Sequence, residues 1–565
     1  MTAFSRLTVA ALLIGSALNA GQYVGSKVCA TCHPAIFAGY SKTSMGRSMA
    51  SGDDTAFLDR FPAPFTIFDN EAGQYFEVSR KADGLYQSQY AVDRSGKEIF
   101  RQTQRLAYVV GSGENGFGFL VQRDGFLFEA PLTYYSKSRV WSFSPGYELR
   151  NLGFDRPVLA ECIGCHAGRP EPVADRAGLY RDPPFTELAV GCENCHGPGE
   201  PHVAQRRGGR AAASIVNPAR LSGWLADNIC MRCHQGGDVR VERPGDQAQD
   251  FRPGTPLNQV LSIFKVPVNQ NSEPQSVLLE HYFSMTLSQC FRSSSGRLRC
   301  TTCHDPHTQP ASTEAASYYR SKCLTCHQPS SCKSPPEDRA KTTPADNCAF
   351  CHMPRQTVTT ITHAALTNHR IAARADEPLP DAAFRANTNA GLIDLTASAG
   401  DHPRPDPITL LQAYATLIRD GHTEFKAKLN DLLDGLARNP TNALVLSALG
   451  RRAMTVDSPE SSEQAIHFFQ AAIRRNAAVA DNYILLAAVY ARRGRSQEAV
   501  QVLLEGMPLN PYVREFPESL AVQYMQLGKY GDALTTIRKG LEVFPGDLLL
   551  RTLLKKASSA TLDGF

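Results

Sequence analysis

Beyond its first twenty residues the chain has no apolar run long enough to cross a bilayer as a helix, so nothing in its body reads as a membrane span. Cysteine is also unevenly placed: there is none beyond residue 376, where Ala, Leu and Arg become frequent. A strong charge of one sign is missing too. The formal balance is only +4, which gives no electrostatic ground for a nucleic-acid partner. The one apolar run, Leu7–Ile14, follows a single basic residue, Arg6, and ends in small residues. Residues 1–20 therefore read as a secretory signal peptide, cut after Ala17 or Ala20. No cysteine lies close enough behind it for lipid attachment, since the first is Cys29.

What the sequence does have is a motif repeated seven times. Cys-x-x-Cys-His occurs at Cys29/Cys32/His33, Cys162/Cys165/His166, Cys192/Cys195/His196, Cys230/Cys233/His234, Cys300/Cys303/His304, Cys323/Cys326/His327 and Cys348/Cys351/His352. Two thiols at this spacing reach the two vinyl groups of one haem, and the next histidine falls under the iron as proximal ligand. Zinc sites or disulfides also use paired cysteines, but neither requires a histidine directly after every second cysteine. The reading is seven covalently attached haem c groups, which use fourteen of the sixteen cysteines. Attachment of this kind takes place outside the bacterial cytoplasm, so the periplasm or extracellular side of a Gram-negative-type cell agrees with the signal peptide. The haem propionates would add up to fourteen negative charges that the formal balance omits. Cys290 and Cys332 remain, and in an oxidising compartment a disulfide between them is the simple expectation.

Residues 21–57 carry the first motif and a helix-like segment from Ala35 to Met49. Residues 58–150 lack the motif and read as a β-rich insertion. Runs such as Phe65–Phe68, Tyr75–Val78, Leu85–Tyr90, Arg105–Val110, Phe117–Val121 and Leu127–Ala130 are separated by Asp83-Gly84, Ser95-Gly96 and Asp124-Gly125. Residues 151–375 hold six motifs at roughly 32 residues each, too little protein per cofactor for an ordinary aliphatic core. Residues 376–406 are rich in Pro, Asp, Asn and Gly and read as a linker. In residues 407–565 a 34-residue period relates Ala465, Ala499 and Ala533, Gly494 and Gly528, Pro511 and Pro545, Tyr490 and Tyr524, and Leu486 and Leu520. That period resembles the tetratricopeptide repeat, whose helix pairs stack into a curved solenoid that holds a protein partner.

The second axial position decides whether each iron carries electrons or is open to substrate. Five further histidines in the cytochrome region are candidate distal ligands: His202, His281, His307, His363 and His369. His402, His422 and His467 read as surface or packing residues.

The segment from Cys29 to Met45, the runs Cys-His-Gly-Pro-Gly-Glu-Pro-His202 and Cys-His-Asp-Pro-His307, and Cys-His352-Met-Pro followed by His363 and His369 carry a family likeness. They resemble multihaem cytochromes c related to octahaem hydroxylamine oxidoreductase and its tetrahaem electron acceptor. The likeness covers about residues 25–375 and is specific for cofactor and haem packing, not for reaction. It implies a multidomain chain: a mainly α multihaem cytochrome c module with a β-rich insertion, then an α-helical tetratricopeptide-repeat solenoid. Met45 stands where that family usually has a distal histidine, and methionine can itself ligate haem iron. No Cys-x-x-Cys-Lys motif, typical of pentahaem nitrite reductases, is present.

Five histidines and Met45 give six distal candidates for seven irons, with Met49, Met285 and Met353 in reserve. The favoured reading is an electron-transfer protein whose repeats dock a redox partner or another copy, as an oligomer or filament. The alternative is an oxidoreductase acting on a small nitrogen or sulfur compound at one five-coordinate haem. If Met45 is a ligand, Met45→His lowers the potential of one haem in a redox titration of the holoprotein.

Overall fold

The computed structural model describes residues 21–148, 151–208, 215–269, 280–357, 365–374, 376–398 and 401–562. Residues 1–20, where a signal peptide is expected, and His363 lie outside the described residues.

The N-terminal region is β-rich. Phe65–Asp69, Gln74–Lys81, Gly84–Val92 and Glu98–Arg105 form a four-stranded antiparallel meander. A second, six-stranded sheet runs Met49–Ser51, Tyr108–Val110, Gly116–Arg123, Leu132–Tyr135 and Val140–Phe143, with Phe126–Glu129 paired to Gly116–Arg123. Alternation explains the packing: in Gln74–Lys81 the residues that face inward include Phe76 and Val78. Phe61, Phe76, Leu85, Phe117, Phe119, Phe128 and Trp141 fill the core between the sheets. The turn Asp124-Gly125 has φ of 48° and 80°, the left-handed pair that a two-residue hairpin needs.

Two sequence expectations change here. Arg105–Val110 is not one strand. Glu98–Arg105 ends where Leu106 is fully buried, and Tyr108–Val110 then joins the other sheet. Met49 is also not helical. The helix Pro34–Tyr40 gives way to turns, and Met49–Ser51 pairs with Tyr108–Val110, so the sheet takes in the end of the first-motif segment.

Residues 151–375 are less helical than expected. Among the described residues the longest helix there is Gly223–His234, of 12 residues. Short helices alternate with the antiparallel pairs Ala167–Pro172 with Tyr180–Ala189, Val239–Glu242 with Leu261–Lys265, and Arg355–Thr357 with Ala365–Thr367. Helices such as Glu193–His196 and Cys300–Cys303 span four residues, about one turn, and bury too little to build a core of their own. None of the described residues from Gln289 to Gln356 is buried.

The expected linker is packed structure. Leu379, Ala383, Ala390, Leu392, Ile393 and Leu395 are buried, and Ile393–Asp394 pairs with Leu261–Lys265. Its polar side chains satisfy local turns: Asp394 accepts from the Thr396 hydroxyl at 2.6 Å, and the Thr388 hydroxyl donates to the Leu392 carbonyl at 2.7 Å. A composition that suggests a flexible spacer here serves an ordered strap.

The C-terminal region is helical. Among the described residues its helices run Pro407–Arg419, Lys426–Leu436, Ala443–Ala453, Pro459–Arg475, Ala480–Arg492, Ser496–Gly506, Glu515–Gln526, Tyr530–Val543 and Leu548–Leu562. Ala465, Ala499 and Ala533, the 34-residue series, are each fully buried where paired helices meet. At Gly506 an added Cβ would lie 2.6 Å from the Tyr483 ring and 2.7 Å from Phe516, so only glycine allows that approach.

This helical array is fastened at both ends. At its start Tyr414 and Lys428 each donate to the Ala390 carbonyl at 2.9 Å, and Ala413, Tyr414, Leu417 and Phe425 pack with Val239, Val241 and Phe264. Toward its far end the Gln74 side-chain amide donates to the Gly546 carbonyl at 3.1 Å, and just before Glu515–Gln526 Tyr512 donates to Asp124 at 2.6 Å, with its ring edge-on to Phe126 and Phe128. Beside it Asp155, 7% exposed, is held between Arg123 at 3.1 Å and Arg514 at 3.0 Å. Burial raises the Asp155 carboxyl above its usual range while the two guanidinium groups oppose the shift. Asp155→Ala would leave two arginines facing one another in this seam. It should cost on the order of 3 kcal/mol and speed release of the helical region in limited proteolysis.

Candidate functional site

The motif cysteines lie at or beside short helical turns, and the following histidine closes or leaves each turn. In Cys192-Glu-Asn-Cys-His196 the amides of Cys195 and His196 both donate back to the Cys192 carbonyl. That turn places both thiols and the imidazole along one side of the backbone.

The seven motifs are neighbours in space. The first motif is held to the third by the Val24 and Gly25 amides on Glu193, Cys165 Sγ of the second lies 3.9 Å from the Arg232 carbonyl inside the fourth, and the Cys300 amide of the fifth donates to Asp227, in the fourth motif's helix, at 3.3 Å. Tyr319, in the helix that ends at Cys323, lies 3.3 Å from His304 of the fifth motif, and Arg320 of the same helix pairs at 2.6 Å with Asp346, just before the seventh. The order is therefore first, third, fourth, fifth, sixth, seventh, with the second motif branching from the fourth. Arg232 sits at the junction of the second, third and fourth, 8% exposed, with Cys233, Cys165 and Cys195 around it.

The two thiols of a motif do not share one environment. In the seventh motif Cys348 is half-buried beside Cys323, whereas Cys351 is exposed in the same helix, Cys348–His352. The physical reason is position. This motif ends the row, so its inner thiol meets the sixth motif while Cys351 lies on the solvent side of a single helical turn. Cys32 and Cys326 are exposed in the same way.

Histidines outside the motifs face histidines inside them. His196 and His307 have ring centroids 6.1 Å apart and planes within 16°. His304 and His369 are 6.3 Å apart, and His234 and His281 5.7 Å. Two imidazoles bound to one metal through nitrogens at about 2 Å hold their centroids about 6 Å apart, once about 1.1 Å is added on each side from nitrogen to ring centre. By contrast His281 and His369, at 4.5 Å, are in van der Waals contact and too close to share a metal. Their contact makes the distal side chains of the fourth and fifth motifs immediate neighbours.

Several of these rings are oriented by a carbonyl on Nδ1, which leaves Nε2 free. His196 pairs with the Val216 carbonyl at 2.8 Å, His352 with Ala372 at 2.8 Å, and His369 with Thr367 at 2.9 Å. Metal-binding histidines are characteristically fixed this way. Burial lowers His166, His196, His202, His304 and His369, and burial together with His369, His234 and His304 pushes His281 down to about 3. At neutral pH these are neutral imidazoles with a lone pair to give. The donor set fits bis-imidazole haem c: Cys192, Cys195, His196 and His307; Cys230, Cys233, His234 and His281; and Cys300, Cys303, His304 and His369.

His202 lies toward the first motif. Its Nδ1 is buried without a hydrogen-bond partner, and His33 contributes to its lowered pKa. Met45 is in the turn after Pro34–Tyr40. That turn abuts the loop bearing His307, where Ser44 donates to Gln309 at 2.9 Å. Met49 packs with Ile163, Tyr180 and Phe185, in an apolar cluster beside the second motif. His402 and His422 bond to the Asn387 carbonyl and Glu424, and His467 lies against Phe468.

Two features have no sequence signal. Glu193, inside the third motif and 2% exposed, accepts from the amides of Val24 at 3.0 Å, Gly25 at 2.7 Å and Gly199 at 2.6 Å. Glu187 accepts from the Ser26 amide at 3.0 Å, and the Cys192 amide donates to the Ser26 hydroxyl at 2.9 Å. These bonds hold the first motif against the third. The motif leaves its two inner positions free, so nothing distinguishes Glu193 in the sequence. The second feature is Cys290. It is not bonded to Cys332; both are free thiols, and Cys290 Sγ instead faces His327 Nε2 at 4.0 Å. Among the described residues no three or more His, Cys, Asp and Glu side chains converge as a single chelate, and no helix is long and apolar enough to cross a membrane.

The family described as cytochrome c554 and c-prime matches residues 150–197, which include the second and third motifs. Together with the motifs this match implies a c-type haem protein of the electron-transfer kind. No curated protein matches the chain. Among solved structures the chain is similar to the Arabidopsis OM64 TPR domain, with 20% identity, 21% of this chain, 94% of that one and a TM-score of 0.19. It is also similar to a thermophilic TPR protein of Thermus thermophilus, with 26% identity, 28% of this chain, 82% of that one and a TM-score of 0.23.

His307→Ala removes the imidazole opposite His196. The expected outcome is a new high-spin ferric signal worth one haem in the electron paramagnetic resonance spectrum, with the other haems unchanged.

Proposed function

We propose that this chain is an exported seven-haem c-type cytochrome that passes electrons along closely packed haems. The observation that supports this reading is the run of neighbouring motifs, three of whose histidines face a second imidazole about 6 Å away, the spacing a shared iron would require. When bound, haem supplies reversible one-electron chemistry at iron. The protein's part is to hold each group by two thioethers and a proximal histidine, and to close the opposite side with a second ligand. Closed irons and short separations suit transfer along a row rather than chemistry on a substrate.

The branching of the second motif from the fourth gives the row three ends, at the first, second and seventh motifs. Electrons entering at one have two exits. The seventh motif lies in the exposed stretch before Gln356, where a redox partner protein can approach its edge on the Cys351 side. The helical repeats, fixed at both ends, are read as the surface that holds such a partner or a second copy of the chain. The β-rich region packs against both the repeats and the first-motif segment and acts as the brace between them.

The test is low-temperature electron paramagnetic resonance of the oxidised holoprotein, with a haem count and with nitrite or hydroxylamine added. Seven haems, all low-spin and indifferent to the additions, are expected. A high-spin signal of about one haem in seven that responds to either compound would replace the carrier with the oxidoreductase reading.

A further inference from the structure

The distal ligands leave one iron unaccounted for. His281, His307 and His369 stand opposite the fourth, third and fifth motif histidines. His202, His363 and Met45 remain for three of the other four irons. What stands opposite the sixth motif's histidine is a sulfur atom. Cys290 Sγ lies 4.0 Å from Nε2 of His327, the nitrogen that a proximal histidine gives to iron. A metal–sulfur bond of about 2.3 Å and a metal–imidazole bond of about 2.0 Å, taken from zinc sites, sum to about 4.3 Å when opposed. The observed separation is therefore within a few tenths of an ångström of what one metal held between the two atoms would require.

The local fold aims it there. His281–Leu287 and Gln289–Ser293 are consecutive helices joined at Ser288, which is fully buried and whose hydroxyl accepts from the Phe291 amide at 3.1 Å. The first helix presents His281 to His234, and the second presents Cys290 to His327. One rigid corner thus serves two motifs. Cys332, the other spare cysteine, is exposed in the loop after the sixth motif and free.

We propose that Cys290 is the distal axial ligand of the haem carried by Cys323, Cys326 and His327. The inference rests on the seven-haem reading above and completes its ligand count: five histidines, Met45 and Cys290 for seven irons. Ligation forms one Sγ–iron bond at ferric iron and releases the thiol proton to solvent, with no change in oxidation state. A thiolate donates more electron density than imidazole and favours ferric iron, so this haem has a lower potential than its bis-imidazole neighbours. Its motif lies between the fifth and the seventh. Electrons leaving by the seventh motif therefore cross a low-potential step, which biases them to stay among the upstream haems.

The experiment uses the holoprotein, its haem content measured first. Near-infrared magnetic circular dichroism of the oxidised wild type should show one haem in seven with a thiolate–imidazole charge-transfer band. Cys290→His should convert that band to the bis-imidazole position and raise the lowest potential in the redox titration. Cys332→Ser should leave both unchanged. Seven haems without a thiolate band, or a Cys290–Cys332 disulfide in the mass of the unreduced protein, overturns the assignment and leaves the seven-haem reading standing. Fewer than seven haems, with the sixth motif unloaded, overturns both.

Discussion

The constraint that sets this segment apart is its opposed histidines, held about 6 Å apart, the separation that two nitrogen ligands on one metal would impose. Between Gln289 and Gln356 no described residue is buried, so apolar packing does not fix that stretch. What recurs instead is a donor on each side of one point, with the rings held at set angles by backbone carbonyls. Thioether and axial bonds are directional and far stronger per contact than dispersion, so a few of them can order a chain that has little core of its own. The same economy explains the brevity of the motif helices. Each needs only enough turn to line up two thiols and an imidazole.

Where this bonding is sparse, ordinary protein physics takes over. The β-rich region is built on alternating apolar residues and a tight aromatic core around Phe61, Phe119 and Trp141. The helical region is built on small residues at helix contacts, where Gly450 and Gly506 admit Phe469, Tyr483 and Phe516. The two are joined chiefly by a buried charge cluster around Asp155 and an aromatic insertion, Tyr512, with Gln74 donating to the Gly546 carbonyl beyond them. Neither would hold an end by itself with much strength. Together with the anchorage at Ala390 they make the helical array a span with two supports.

Much of this is legible in the sequence, and unevenly so. The motif cysteines and histidines follow from spacing alone because covalent attachment imposes it. Spacing does not say which thiol of a pair is covered, and so Cys348 and Cys351 look alike until the fold sets one against Cys323. The strands flanking Asp124-Gly125 and the repeat helices follow from period and turn chemistry. Candidate partners are legible as residue types but not as pairs, because a facing pair such as His304 and His369 is set by the fold between them. The strap of residues 376–398 reads as a linker because its Asp, Asn and Thr side chains close turns inside a packed element, and composition does not separate that use from solvation. The strand Met49–Ser51 escapes sequence reasoning because its partner, Tyr108–Val110, is remote and only pairing makes so short a run extended. Compartment chemistry pairs Cys290 with Cys332, whereas the ligand shortfall points elsewhere.

Glu193 carries a consequence for the order of assembly. Its carboxylate is bonded to the Val24 and Gly25 amides across 169 and 168 residues of chain. A polypeptide made from its N-terminus presents Cys29 and Cys32 long before Glu193 exists to receive that segment. Closing so large a loop adds an entropic cost that nearer contacts do not bear, which favours docking late. The first pair of thiols is thus left outside the growing structure at least until Glu193 has been made, open to whatever enzyme joins the haem to it. Docking then lays the first motif against the third.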